Sequence, residues 1–359
     1  MLKVCFVARL VDYFSVLLPV YKRIGRECTA VKFIGTATQA PRDADIYVFC
    51  APSSFRDFLR STTRKGDLVA KGFRIFRKFG VHKTLRAKLS RSLKPIDKRY
   101  TSALAETFKT PFFWLPHSVG GDSCEQCQRY MMNLLPGEFF RRKFNIIPQQ
   151  KTRLVGYPKL DVLFSAERRQ IADRVAQGLK LPYEKTVLYS PTGELLQTKQ
   201  RYRFDSFNLS ILRILRIAQH NKLNLIIKVK AGADWLEQET FKTAYAKTKS
   251  WRNVNWILEW DNIATLYLLA DLLVSDGSST IREFYATGNP SLQLTNFPNK
   301  SFVFPEARHT NLETLEKDVM EALNHPSKFV MPKQMIEDFF YKLDGKSTDR
   351  AVKEILHRK

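Results

Sequence analysis

Apolar and polar positions fall into alternating blocks along this chain. Short runs of branched or aromatic residues recur at Val4–Ala8, Ala30–Ile34, Asp45–Cys50, Phe112–Leu115, Thr186–Tyr189, Leu223–Val229, Val254–Leu258, Leu272–Val274 and Ser291–Leu294. Their length and branching suit strands buried on both faces. Between them lie stretches of a different period. In Tyr13–Ile24 the apolar residues Phe14, Leu17, Leu18, Tyr21 and Ile24 recur every three or four positions, and Gly25 follows the last of them. That spacing predicts a helix. A second helix is expected over Ile263–Leu269, and a last one where Ala351, Val352, Ile355 and Leu356 share a face. Strands alternating with helices argue for parallel sheets of Rossmann type.

One stretch organises the second half of the pattern. After Leu272–Val274 comes Ser275-Asp276-Gly277-Ser278-Ser279, small and polar, and then Thr280 with Glu283 three residues on. Thr280 and Glu283 have capping-box spacing, so a helix is expected to begin near Ser279 or Thr280 and to stop near Gly288-Asn289-Pro290. A strand, a hydroxyl-rich turn and a helix start form an anion site; they also form an ordinary capped βα turn. The turn by itself leaves both readings open.

Composition narrows the class. At 359 residues about two domains are expected, and 44% hydrophobic content is that of a globular chain. No apolar run approaches the roughly 18 residues of a membrane span, and the N-terminus lacks the apolar core of a secretory signal. The five cysteines, an odd number, point to a reduced, cytosolic protein rather than a disulfide scaffold. The net charge of +24 changes the picture most. Residues 56–99 hold 15 Lys or Arg against three acids, half of the excess. Phe73, Phe76, Phe79, Val81, Leu85, Leu89 and Leu93 run through that segment at helical spacing. The segment reads as a basic amphipathic insert lying on an anionic membrane surface, or as a solvated helix packed on its own domain. Nucleic acid is not expected, because no helix-turn-helix, RNP or zinc-finger pattern accompanies the charge.

Candidate chemistry sits at strand ends. Phe112–Leu115 delivers Pro116 and His117 to a Ser-Val-Gly-Gly turn, where an imidazole can take a proton from a hydroxyl. A lone histidine is also often structural. Cys124 and Cys127 form a single pair, too little for zinc, and no acidic metal cluster is evident. Ser190 and Thr192 follow one strand, where they could also serve as helix caps. Lys230 follows another. Gly156 and Pro158 shape a turn that reads as a domain junction, with Tyr157 and Lys159 making no ligand contact. In the tail, Asp344-Gly345 makes a turn and Ser347 or Thr348 caps the last helix.

These residues together resemble the CDP-glycerol glycerophosphotransferase family, the teichoic-acid primases and polymerases. The resemblance spans roughly residues 110–357 and is best in the second half. It rests on Asp276, Ser278, Ser279, Glu283 and Pro290, on Gly156-Tyr157-Pro158 with Asp161, and on Asp344-Gly345 with Arg350. It implies a GT-B fold: two Rossmann-like domains facing each other across a cleft, with a C-terminal helix returning toward the N-terminal domain. The domains implied are 1–150 on the acceptor side, carrying the basic insert 56–99, then 151–340 on the nucleotide-donor side, then the helix region 341–359. The activity implied is transfer of a polyol phosphate, with glycerol phosphate the leading choice, from a CDP-activated donor to a hydroxyl of a membrane-linked glycan, releasing CMP. His117 would be the base, and Lys230, Asp276, Ser278, Ser279, Ser190 and Thr192 would hold the donor. Gly156, Arg201, Arg203, Glu283, Ser347 and Arg350 are further candidates. No cofactor is expected and, with no acidic metal cluster evident, no metal; the activity implied would sit on the cytoplasmic face of the plasma membrane. Ser118 stands where the family usually has Gly, Gly193-Glu194 where it has Trp-Arg, and Lys230 where it has His-Pro. A nucleotide-sugar glycosyltransferase of the same fold and a non-catalytic GT-B-like binding protein at an anionic membrane remain as alternatives.

Overall fold

In the computed structural model the described residues are 2–8, 11–34, 40, 43–50, 111–116, 131–143, 147–192, 206–229, 238–297 and 303–357. They build two parallel sheets of six strands each. The expected basic insert 56–99 lies outside the described residues, as do His117, Cys124, Cys127, the Gly193-Glu194 pair, Arg201, Arg203 and Lys230.

The first sheet is made by β1 (Lys3–Ala8), β2 (Thr29–Ile34), β3 (Ile46–Phe49), β4 (Phe112–Trp114), β5 (Met132–Leu135) and β6 (Thr152–Leu154), in the order β2-β1-β3-β4-β5-β6. Val4 to Ala8 are all buried, as a strand covered on both faces requires. Helix α1 (Val11–Ile24) buries Val16, Leu17, Val20 and Ile24 against this sheet. Helix α2 (Glu138–Lys143) follows β5. Strand β6 closes the edge, so this sheet ends at Leu154.

A single 3-10 helix, Pro158–Phe164, then joins the halves. It packs on α1 on one side and, on the other, on α3 (Arg168–Leu179) and α6 (Ala264–Tyr267).

The second sheet contains β7 (Thr186–Ser190), β8 (Asn224–Lys228), β9 (Val254–Ile257), β10 (Leu272–Ser275), β11 (Ser291–Leu294) and β12 (Arg308–Thr310), ordered β12-β11-β10-β7-β8-β9. Its helices are α3, α4 (Phe207–His220), α5 (Glu239–Thr248), α6, α7 (Thr280–Phe284) and α8 (Leu315–Asn324). Two more helices return to the first half. Helix α9 (Lys333–Phe339) packs on α2, and α10 (Ser347–Leu356) packs on α1. One apolar core runs without a break from the first sheet to Tyr267, Ile281 and Phe284 of the second half and to Ala351 and Ile355 of α10. Among the described residues no helix is long and apolar enough to cross a membrane.

Candidate functional site

The second sheet reverses its winding at β7. From β7 the chain moves to β8 and β9 on one side, then returns to place β10 directly against the other side of β7, with Ser190 in register with Ser275. All neighbours are parallel, so the carboxyl ends of these strands share one edge. The crevice at such a reversal is where open α/β sheets bind ligands. Here it is bounded by Ser190-Pro191-Thr192 and by Asp276-Gly277-Ser278-Ser279.

The two halves of that edge are stitched together. Ser275 Oγ donates to the Ser190 carbonyl and lies 3.2 Å from Thr280 Oγ1. The Asp276 side chain is 0% exposed. Its carboxylate accepts the Thr192 N–H at 3.0 Å, the Thr192 hydroxyl, and the Ser206 hydroxyl at 3.0 Å. Its carbonyl accepts from Gln293 Nε2 at 3.1 Å. Asp276 therefore holds both Thr192 and Ser206, the two stems of the 193–205 connection, against the end of β10. Among the described residues, the bonds of Ser190 and Thr192 serve this cross-strand edge.

Ser278 and Ser279 are half-buried at the tip of the turn. Ser278 Oγ accepts the Thr280 N–H at 3.4 Å. Among the described residues the backbone N–H groups of Gly277, Ser278 and Ser279 donate no hydrogen bond. The turn thus presents amides and hydroxyls together at the strand edge, an arrangement suited to phosphate oxygens.

Helix α7 starts at Thr280, as the pattern predicts, but the capping box does not form. Ser279 occupies the cap position without a side-chain bond. Glu283 instead turns inward, 1% exposed, and accepts from Lys159 Nζ at 2.7 Å, Tyr267 Oη at 3.0 Å and Tyr157 Oη at 3.4 Å. A buried ammonium is a stronger partner for the carboxylate than a half-solvated backbone amide. Burial first, and the Glu283 charge second, push both tyrosine hydroxyls well above the ordinary phenol value. Tyr157 and Lys159, read as junction residues, are occupied with Glu283.

The remaining candidates gather at the junction. Gly156 has φ +84°, and a Cβ there would run into Ser347 Oγ and meet the Tyr341 carbonyl at 2.8 Å. Arg350 donates to the Val155 carbonyl at 2.8 Å, to both Asp344 carboxylate oxygens at 2.9 Å, to the Lys342 carbonyl at 3.1 Å and to Ser347 Oγ at 3.2 Å. Ser347 and Thr348 do not cap α10 with their hydroxyls. Asp161 does so from the 3-10 helix, accepting the Ser347 N–H at 3.0 Å and the Thr348 N–H at 2.7 Å. Gly156, Ser347, Arg350 and Glu283 thus fix how the halves and the last helix are joined. Sequence reasoning overlooked Asp161 as the cap and Ser206 as a stem. The Asp161 role had a signal: a helix whose own first residues leave its N–H groups short of acceptors.

His117 and Lys230 are approached from their strands. Strand β4 ends at Trp114, whose indole N–H donates to the Cys50 carbonyl at 3.3 Å and so ties the ends of β4 and β3. Burial pushes the Cys50 thiol up to about 12, which leaves it unreactive at neutral pH. Strand β8 ends at Lys228, two residues before Lys230.

Residues 131–295 match the model of the family described as CDP-Glycerol:Poly(glycerophosphate) glycerophosphotransferase. The matched range contains the β7/β10 edge. Among solved structures, the wall teichoic acid polymerase TagF matches with TM-score 0.61 at 12% identity, covering 98% of this chain and 88% of that one. A UDP-GlcNAc 2-epimerase from Neisseria meningitidis, bound to UDP-GlcNAc, matches with TM-score 0.54 at 12% identity, covering 99% of this chain and 100% of that one. Another structure, S. aureus MnaA with UDP, has TM-score 0.52 at 11% identity and covers 99% of this chain and 96% of that one. These likenesses show the fold, which is GT-B as expected. No curated protein matches the chain.

Proposed function

We propose, taking the glycerophosphotransferase match over residues 131–295 as the premise, that this protein transfers a polyol phosphate from a CDP-activated donor, CDP-glycerol first among them, to a hydroxyl of a membrane-linked glycan in teichoic-acid-type synthesis. The observation that carries the reading is the strand reversal at β7/β10. It lies inside the matched range and presents Ser278 and Ser279 beside Ser190 and Thr192. In this reading the half built on the second sheet holds the donor and the half built on the first sheet holds the acceptor. The amides and hydroxyls of 277–279 take the pyrophosphate oxygens. The five-residue helix α7 adds little dipole of its own. Lys230 adds a point charge from the carboxyl end of β8, and Arg201 or Arg203 a second from the 193–205 connection.

His117, three residues beyond the end of β4, takes the proton of the acceptor hydroxyl. The acceptor oxygen bonds to the β-phosphorus, the bond from that phosphorus to the bridging oxygen breaks, and CMP leaves with the electron pair. Catalysis of this kind is positioning and charge stabilisation. The enzyme works at the cytoplasmic face of the membrane, where the +12 segment 56–99 meets anionic lipid and brings the lipid-linked acceptor to the cleft.

The test is CMP release from CDP-glycerol, CDP-ribitol and UDP-sugars, with the parent and His117→Ala, on vesicles with and without anionic lipid. Release from CDP-glycerol, lost by about 100-fold or more in His117→Ala, is the expected result. Turnover of a UDP-sugar alone would replace the donor assignment with the glycosyltransferase. Turnover of no donor would favour a binding protein. An unchanged rate in His117→Ala would remove it as the base.

A further inference from the structure

We infer that Glu283 is a positioning residue, which sets the angle at which the 276–279 turn faces the first half of the molecule. The inference rests on the donor assignment above.

The contact between the halves is mostly apolar, and apolar burial has no direction. Direction comes from buried polar groups, and the one that ties α7 to the junction segment is the Glu283 cluster. The Glu283 and Lys159 side chains are 1% and 8% exposed and 2.7 Å apart, and the Tyr157 and Tyr267 hydroxyls donate to the same carboxylate. The four residues come from three elements. Lys159 and Tyr157 belong to the junction segment, which packs on α1; Tyr267 ends α6; Glu283 lies on α7. The junction segment is itself pinned at two further points, by Asn262 Nδ2 on the Lys159 carbonyl at 3.0 Å and by Asp161 on the first amides of α10.

Glu283 is also one helical turn below the site. Its N–H donates to the Ser279 carbonyl at 3.1 Å, so a tilt of α7 moves Ser278 and Ser279 with it. The internal shape of the turn is kept separately, by Ser275 and Asp276. Loss of the Glu283 cluster should therefore leave the donor surface intact and misdirect it relative to the first half. Donor binding would survive, and alignment with the acceptor would not.

Removing one member of a buried ion pair leaves an uncompensated charge, whereas replacing both by apolar groups restores stability. The experiment uses that difference. Glu283→Leu alone is expected to lower Tm. Lys159→Met with Glu283→Leu is expected to bring Tm back close to the parent, with donor affinity by calorimetry within about threefold. Its kcat should fall about 10- to 100-fold, the scale of an ångström-level misplacement. Tyr267→Phe removes one hydrogen bond and no charge, and should lose kcat by a smaller factor at unchanged donor affinity. A double variant with restored Tm and parental kcat overturns the inference, as does parental kcat in Tyr267→Phe if the double variant fails to fold. Should the parent itself turn over no donor, the proposed function falls and small-angle scattering decides the inference. A double variant with a larger radius of gyration than the parent supports it, and an unchanged radius refutes it.

Discussion

Asp161 accepts the amide hydrogen of Ser347 across 186 residues of chain. One carboxylate of the junction segment thereby completes the N-terminus of the last helix. Replacing it by alanine should cost about 1–2 kcal/mol, the usual worth of a helix cap, while asparagine should cost less. Urea unfolding midpoints of the two variants check this.

The same helix gives two acid responses of opposite sign. Burial raises the Asp161 carboxyl above its ordinary value, with the α10 amides opposing the shift. A raised acid binds its proton more tightly folded than unfolded, so its contribution to stability grows as pH falls through that raised value. The hydrogen bond from Arg350 holds the Asp344 carboxyl below its ordinary value. Its contribution is present above about pH 4 and is lost as pH falls through the lowered value. Between pH 7 and 4, Tm of the parent should rise relative to Asp161→Asn. Relative to Asp344→Asn it should fall only below about pH 4.

Gly156 is bound by both backbone angle and space. With φ +84° and the Tyr341 carbonyl 2.8 Å from any Cβ, alanine must strain the backbone and push the tail away. The angle alone costs about 1–2 kcal/mol. Gly156→Ala should lower Tm and raise protease sensitivity near Tyr341, read by limited proteolysis and mass spectrometry.

Asp276→Ala should be among the more costly changes at the β7/β10 edge. It strands the Thr192 amide and the Thr192 and Ser206 hydroxyls, at about 1–3 kcal/mol for a buried group left unpaired. Ser206→Ala removes a single donor and should cost about 1 kcal/mol. Denaturant titration ranks the two. The reverse order would mean that the Thr192 and Ser206 donors find water once the carboxylate is gone.

Arg282 is buried beside Glu306, with Nε 2.6 Å from the carboxylate. Its guanidinium carbon lies 4.2 Å from the Phe304 ring centre, 5.0 Å from Phe139 and 5.2 Å from Phe339. Lysine cannot stack or fork in that cage. Arg282→Met should lose about 3–5 kcal/mol by leaving Glu306 uncompensated, and most of that should return in Arg282→Met with Glu306→Leu. Calorimetric Tm values of the single and double variants test this.

The parallel sheets were legible because strands β1, β7, β8 and β10 are buried on both faces and so read as unbroken apolar runs. Elements with no such imprint escaped. Helix α3 buries no side chain completely, and β12 is the three-residue edge Arg-His-Thr, two of them exposed. At the site the local rules pointed to the right places and the wrong partners. Thr280 and Glu283 have the spacing of a capping box, and Ser347 stands where a cap is expected. In each case a group far away in sequence, Lys159 or Asp161, makes the stronger bond. Spacing along a chain reports what a helix could do alone; tertiary neighbours decide what it does.

The packing of α10 on α1 has a bearing on how the chain is made. A surface of α1 waits for its cover until the segment around Ala351 and Ile355 has been synthesised. The half built on the first sheet cannot reach its final state before then, and its apolar flank stays open to chaperones or to misassembly for that interval.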